Sequence, residues 1–542
     1  MYKISISYPR SLGVFLQVVN AFGYESQVPR LLNALLARAY SLAHALDESD
    51  NETNPSPAAA GGEVGEGNNK DAGLADLQVR FETQVELLAV DLENAALDSA
   101  YSQAAYWLRQ CVESRAFHVS EYLAVLESAF EENSDGVDAV DRNNAASSEE
   151  DMELGCELKD VLEAGKVLLA TARAEVLLTG NLSNEDAAEI AQRVLAELPV
   201  QAHALEETPP KEVSYEDGDK VPLPRAVQLP LASTTTLRNA PAAPTAAPVP
   251  VPTKGTPENI TDEDSEGSNT GEVEKPMVTP GPLLRRTLPD ATNENSCALL
   301  FLHFGLEAAV NGVGNEEEER LSTADHACLE LIGHLAAPSF FQKLRTEEQL
   351  GYLVSAHVSR FSGALGLTLL VQSSTAAPLH LEARMASWCH SFTQELEALS
   401  EEACAANALA LATQYVERPR SLGDEHDSAL GELLSRRYAF NRRAARADAV
   451  LKVTKAELVE AWRQRLAPCA PQRRPLRVHM YALAHAAEAG LDLGAGTGNS
   501  DDHDNKDGVD LSTLEAVRAF KAKLPLLMSP SIHCDPGLDG NE

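Results

Sequence analysis

The feature that most constrains this chain is an internal repeat. The opening segment MYKISISYPRSLGVFLQVVNAFGYESQVPRLLNALL lies over GYLVSAHVSRFSGALGLTLLVQSSTAAPLHLEARMA, which begins at Gly351. Both copies read strand, Arg-containing turn, strand, short loop with proline, then a long helix. In the first copy the apolar residues pass from alternation to helical spacing at Leu31, Leu32, Leu35, Leu36 and Tyr40. A chain that carries one such unit twice is expected to fold as two related α+β domains, each an antiparallel-rich sheet with helices packed on one face. The copies differ in what leads into them. Roughly fifty residues of strand and helix pattern precede the second, whereas the first starts at Met1, so the first domain is expected to be N-terminally truncated.

Composition divides the rest. Residues 1–205 form the first domain, with acidic inserts at 47–75 and 131–155, and 206–235 connect it to the second. Residues 236–293, an Ala/Pro tract with an acidic Ser/Gly-rich continuation, read as a disordered insert that cannot bury a core. Residues 294–485 form the second domain, and 486–542 a polar tail with one amphipathic run, Leu511–Lys523. Within the first domain the pattern predicts strands at Tyr2–Tyr8, Val14–Phe22 and Glu175–Leu178, and helices at Val28–Leu46, across 76–130 and at Asn184–Leu198. In the second it predicts strands at Ala298–Phe304 and Arg477–Tyr481 and a hairpin of Tyr352–Val358 with Leu365–Gln372. Its helices fall at Ser322–Leu335, Ser339–Gln349 and Pro378–Leu399.

The net charge of −38 is concentrated. About −24 of it falls in 47–75, 131–155, 257–275 and 500–510, where runs of like charge solvate loops. That balance argues against a nucleic-acid partner, which needs a basic face. No apolar run reaches membrane-spanning length, and the N-terminus lacks the apolar core of a signal peptide, so a cytoplasmic location is the expectation. The eight cysteines are scattered without a CxxC pair and read as reduced, mostly buried thiols.

Chemistry concentrates in Pro338–Tyr352, where Arg345 closes a helical stretch and Tyr352 opens a strand. Arg345 offers a permanently charged planar fork and Tyr352 a phenolic hydroxyl. Donors aimed at a carbonyl oxygen that gains negative charge are usually the largest catalytic contribution in acyl transfer. Gly351 would permit the change of direction that lets both heads converge. By itself an Arg and a Tyr at this spacing is structural far more often than catalytic. The surrounding run, Phe341, Leu344, Arg345, Thr346, Glu348, Gln349, Leu350, Gly351 and Tyr352, closely resembles the substrate-gripping motif in the C-terminal half of insulysin- and nardilysin-like zinc metallopeptidases, the pitrilysin family or inverzincins. Leu178-Thr-Gly-Asn-Leu and Phe520-Lys-Ala-Lys-Leu-Pro-Leu extend the likeness more weakly.

The resemblance implies peptide substrates and substrate-binding and transition-state roles for Arg345 and Tyr352. It implies that Phe341 lines the same surface and that Thr346, Glu348 and Gln349 secure the helix-to-strand junction. Such enzymes hold zinc with His-x-x-Glu-His. Three sites here begin that way, at His118, His203 and His485, and none supplies the second histidine. His326 and His334 sit two helical turns apart rather than one. This chain is therefore expected to bind no metal itself, with zinc supplied by an N-terminal half in the same or another chain, and to be inactive alone. The alternative is a non-catalytic peptide-binding or partner subunit of the same fold.

Overall fold

The computed structural model describes residues 3–7, 18–22, 67–95, 97–114, 116–131, 157–171, 176–180, 182–197, 212–214, 220–222, 226–232, 281–307, 321–434, 439–488 and 511–527. The helix expected over 28–46, the Ala/Pro tract and the insert at 132–155 lie outside these residues. In the first repeat, β1 (Lys3–Ser7) and β2 (Val18–Phe22) pair antiparallel as a hairpin. Helices α1 (Gly67–Ala95), α2 (Ala100–Val112), α3 (Val119–Glu131), α4 (Leu158–Thr171) and α5 (Asn184–Glu197) follow. The short strands β3 (Glu212–Ser214) and β4 (Lys220–Pro222) form a second small hairpin.

The second repeat is built on five strands: β5 (Leu283–Thr287), β6 (Ser296–Leu306), β7 (Leu353–Phe361), β8 (Ala364–Ser373) and β9 (Arg474–Tyr481). Their order is β5-β9-β6-β8-β7, antiparallel throughout except for the parallel pair β5 and β9. The central strand β6 is buried along almost its whole length. That explains why it reads as a near-continuous apolar run rather than an alternating one: both of its faces are covered.

The domain's own helices cover one face. These are α6 (Thr323–Phe341), α7 (Pro378–Ala398), α8 (Glu401–Val416), α9 (Leu422–Leu434), α10 (Arg442–Val450) and α11 (Lys455–Ala461). Leu300 and Leu302 of β6 and Leu367 and Leu369 of β8 join Leu331, Met385, Trp388 and Trp462 in a single core. The opposite face is covered from outside the domain. Ala104, Trp107 and Leu108 of α2 pack with Leu299, Phe301, Leu476 and Val478, and α13 (Leu514–Ala522, after the short α12, Leu483–Glu488) adds Val517 and Phe520. The amphipathic run expected in the tail is thus part of a core.

Several expectations are corrected. Ser322–Leu335 and Ser339–Gln349 are one helix, α6, which runs through Pro338 and unwinds into a π-helical turn at Gln342–Glu347. Pro338 removes only the hydrogen bond back to His334. The helix end is held instead by packing: fully buried Phe340 meets Trp388 edge-on at 4.9 Å, and Trp388 stacks on Phe392 at 4.7 Å. The insert assigned to 236–293 ends earlier, because Leu283, Leu284 and Leu288 are buried and β5 adds to the sheet. Helix α1 begins inside the insert assigned to 47–75, where no proline follows Pro57 to stop helix from propagating. Residues 176–178 of the strand expected at Glu175–Leu178 form no strand. Five of the eight cysteines, at 111, 297, 328, 389 and 404, are buried free thiols, while Cys469 is exposed.

Two charged clusters tie helices to the sheet and to each other. Glu382 of α7, 1% exposed, faces Arg477 at 3.4 Å and His479 at 2.9 Å on β9. Glu330 of α6 accepts from Tyr415 at 2.8 Å, lies 3.4 Å from His326 and pairs with Arg446, joining α6, α8 and α10. Burial alone would raise the Glu330 carboxyl, but His326 and Arg446 outweigh it and hold it at about 2.

Glu382→Ala strands a buried guanidinium, so chemical denaturation should show a loss of about 3–5 kcal/mol, and adding Arg477→Met should recover much of it. The Glu330 carboxyl titrates below its ordinary value of 4.5, at about 2. Its stabilisation is therefore complete above that ordinary value and is lost as pH falls toward the folded one. Acid unfolding of Glu330→Gln should lack that part of the pH slope.

Candidate functional site

The site is built where α6 gives way to β7. The π-helical turn carries Arg345 outward while burying Leu344 completely beneath it. π-Helical turns of this kind recur where a helix must re-aim a functional side chain. After the turn the backbone is closed off by Glu348 N–H donating to the Lys343 carbonyl and Leu350 N–H to that of Leu344, both at 3.0 Å. Glu348 then receives two hydrogen bonds from Arg384 of α7, each 2.7 Å, which clamps the junction to the neighbouring helix.

Gln349 supplies the left-handed residue of the turn, with φ 53°. The sharp bend expected of Gly351 therefore belongs to Gln349. Gly351 is needed for another reason: a Cβ there would sit 1.9 Å from the carbonyl oxygen of Gln372. The start of β7 is pressed against the end of β8, and only hydrogen fits between them.

This framework brings all three anticipated side chains together. The Arg345 guanidinium carbon lies 4.9 Å from the centre of the Phe341 ring and 4.5 Å from that of Tyr352. One ring comes from the helical turn before Arg345, the other from the first residue beyond the junction. Both are exposed, Tyr352 to 83%. Among the described residues no carboxylate pairs with Arg345. Two aromatic faces hold the cation in place and leave its N–H edges open, a contact worth about 0.5–1 kcal/mol per ring at an exposed position. Thr346 is exposed, and Glu347 makes a surface pair with Lys343 at 3.0 Å. The clamp Arg384 was not legible in the sequence, because its pairing with Glu348 depends on how α7 packs. The Phe341–Arg345 contact could have been read from their spacing of one helical turn.

The histidines serve packing. His118 leans on the rings of Tyr106 and Trp107, its backbone N–H donates to Glu121 at 2.6 Å, and burial lowers its pKa, with the Arg286 charge adding to this. His485 bonds Ser296 at 2.7 Å in the interior. His326 turns to Glu330, and burial lowers the pKa of half-buried His334. His203 lies outside the described residues. Burial pushes the Cys111 and Cys328 thiols up to about 12, which removes them as nucleophiles or thiolate ligands near neutral pH. Among the described residues no three His, Cys, Asp or Glu side chains gather as metal ligands, so the described donors do not fit a zinc ion. Nor is any described helix long and apolar enough to cross a membrane.

Residues 331–430 match the family model for domain 4 of the C-terminal lobe of PQQ synthase PqqF-like proteins. The insulin-degrading enzyme of Homo sapiens is 32% identical over 161 residues, which is 30% of this chain and 16% of that protein. Nardilysin of Mus musculus is 27% identical over 213 residues, 36% of this chain and 18% of that one. The matches thus span about a sixth of the length of these relatives. Pitrilysin superposes on 98% of the chain, using 39% of its own, with a TM-score of 0.58 at 16% identity, and so shares the fold. The chain is accordingly similar in part to the insulin-degrading-enzyme and nardilysin-like proteins, and it shares its fold with pitrilysin.

Proposed function

We propose that this chain is the C-terminal, substrate-binding half of a zinc-dependent metalloendopeptidase acting on peptides. The observation that carries the reading is the guanidinium of Arg345, held between the exposed rings of Phe341 and Tyr352 without a carboxylate partner among the described residues. The guanidinium and the Tyr352 hydroxyl are hydrogen-bond donors on a pre-set frame, suited to a peptide carbonyl oxygen as negative charge grows on it. Phe341 lines the same surface. The metal, when bound by a zinc-bearing N-terminal half, would supply Lewis-acid activation of water. No residue of this chain is assigned to hold it. In this reading 1–205 and 294–485 are the two related domains of the half, and the assembly works in the cytoplasm. A non-catalytic peptide-binding subunit of the same fold is the second reading, distinguished by the assay below.

The test is complementation. Mixed with a zinc-bearing N-terminal half from a relative, the chain should restore hydrolysis of an internally quenched peptide. Arg345→Ala should lower kcat by roughly a hundredfold or more, and Tyr352→Phe by less. Restored turnover that Arg345→Ala leaves unchanged sinks the assignment; peptide binding without hydrolysis in any combination supports the second reading. Gly351→Ala must push β7 away from Gln372, so it should depress kcat while the near-ultraviolet circular dichroism of the core stays native. Wild-type turnover in that variant would show that the junction does not position Tyr352.

A further inference from the structure

The junction before Tyr352 is clamped by Arg384 from the side of the domain's own helices, and a second hold reaches it from the opposite face. Helix α2, which belongs to the first repeat, has no local side-chain cap. The Ser99 hydroxyl bonds that of Ser102 at 2.9 Å and leaves the first N–H groups of the helix unmet. The missing acceptor comes from 271 residues downstream, where Oε1 of Gln372 accepts from the Tyr101 N–H at 3.1 Å. Gln372 lies two positions beyond Leu370 on β8, so its side chain leaves the sheet on the face that α2 covers.

In that strand Gln372 forms the first rung of the β7–β8 ladder, opposite Leu353. Its carbonyl is the group that leaves room only for hydrogen at Gly351. On its other side it pairs with Cys297 of the buried strand β6. The residue that caps α2 is therefore also the one against which the backbone entering Tyr352 is pressed. The far end of α2 is tied to the same hairpin: its C-cap residue, Glu113, accepts from the Ser362 hydroxyl in the β7–β8 turn at 3.2 Å. Between the two ties Ala104, Trp107 and Leu108 fill the apolar contact. Apolar burial is non-directional and tolerates small slides, whereas a hydrogen bond at each end fixes the helix along the hairpin.

We infer that α2 braces the β7–β8 hairpin, and that Gln372 is the positioning residue through which the first repeat sets the place of Tyr352. The inference rests on the reading of Tyr352 as a substrate-binding group. It adds that part of the site's geometry is fixed from outside the domain that carries the site. Phe341 and Arg345 stand on the helical side of the junction, so loss of the brace moves Tyr352 relative to them.

Two substitutions test this. Gln372→Met keeps the length of the side chain and removes the acceptor; Gln372→Glu keeps the acceptor and adds a charge suited to a helix N-terminus. In the full chain labelled with 3-fluorotyrosine, the resonance of position 352 is assigned by its absence in Tyr352→Phe. It should shift in Gln372→Met and keep its wild-type place in Gln372→Glu. Exchange of the Tyr101 amide should quicken by roughly tenfold or more in Gln372→Met. In the complemented enzyme that variant should lower kcat by roughly tenfold with KM within about twofold, and Gln372→Glu should restore it. If Gln372→Met does not fold, Ser99→Asp added to it supplies a local cap, which restores the helix but not the tie to β8, and the resonance is read there. An unmoved resonance, an unchanged Tyr101 exchange rate, or equal effects of the two substitutions overturns the inference. So does wild-type turnover of Gln372→Met in a complemented enzyme that Arg345→Ala impairs. Turnover that Arg345→Ala leaves unchanged sinks the reading of the site instead, and the resonance and exchange measurements, made on this chain alone, still decide the brace.

Discussion

The central strand β6 is buried on both faces, and much of the architecture answers that requirement. A strand reading Cys-Ala-Leu-Leu-Phe-Leu-His-Phe offers water no side, so two separate layers must be found for it. The helices that follow in sequence provide one. The other is assembled from elements distant along the chain: α2 from one side and α13 from the other, with Trp107 and Phe520 in the same cluster as Phe301. Glu113 sits at that seam, bonded to Arg109 at 2.7 Å and to Ser362 on the β7–β8 turn at 3.2 Å, while Lys521 reaches its carbonyl at 2.9 Å. Burial raises its carboxyl, against the pull of Arg109 and Lys521. Helix α2, the five-stranded sheet and the tail are therefore not independent modules joined by linkers; they share one interior.

The candidate site depends on that interior at one remove. Phe340, Trp388, Phe392 and Trp462 pack into a single aromatic cluster, and the indole N–H groups of Trp388 and Trp462 bond Ser339 at 3.1 Å and Thr393 at 2.8 Å. Beneath the π-helical turn this is a rigid floor. Above it, Arg345 is positioned by ring faces rather than by a carboxylate. The choice has a chemical consequence: an ion pair would fix the guanidinium but consume its charge and its donors, whereas aromatic stacking leaves both available.

Local patterns were readable in the sequence where the chain acts locally. The β7–β8 hairpin, α7 after Pro378 and the start of α5 all follow from alternation, a proline at a helix start and acidic first-turn residues. The Arg345–Tyr352 run was legible too, as was its placement at a helix-to-strand boundary. What escaped depends on distant packing. Pro338 looked like a stop because its own bond is lost, but the aromatic cluster holds the helix together across it. Leu283 and Leu284 sit in a segment of low-complexity composition, and only pairing with β9, far downstream, shows that they are a strand. Gly351 was read as a hinge; its real constraint is the Gln372 carbonyl pressed against it, which no local pattern contains.

The closing of the second face by α13 also bears on when the protein can finish folding. Chains emerge from the ribosome N-terminus first. All five strands and the helices of the first face are available before residues 511–527 have been made, yet Leu299, Phe301, Leu476 and Val478 still lack part of their cover. During that interval the nascent chain presents an apolar sheet face whose cover, among the described residues, is completed by residues 511–527. Synthesis order thus makes α13 a checkpoint: a chain interrupted shortly before it would display an apolar surface of the kind that chaperones recognise.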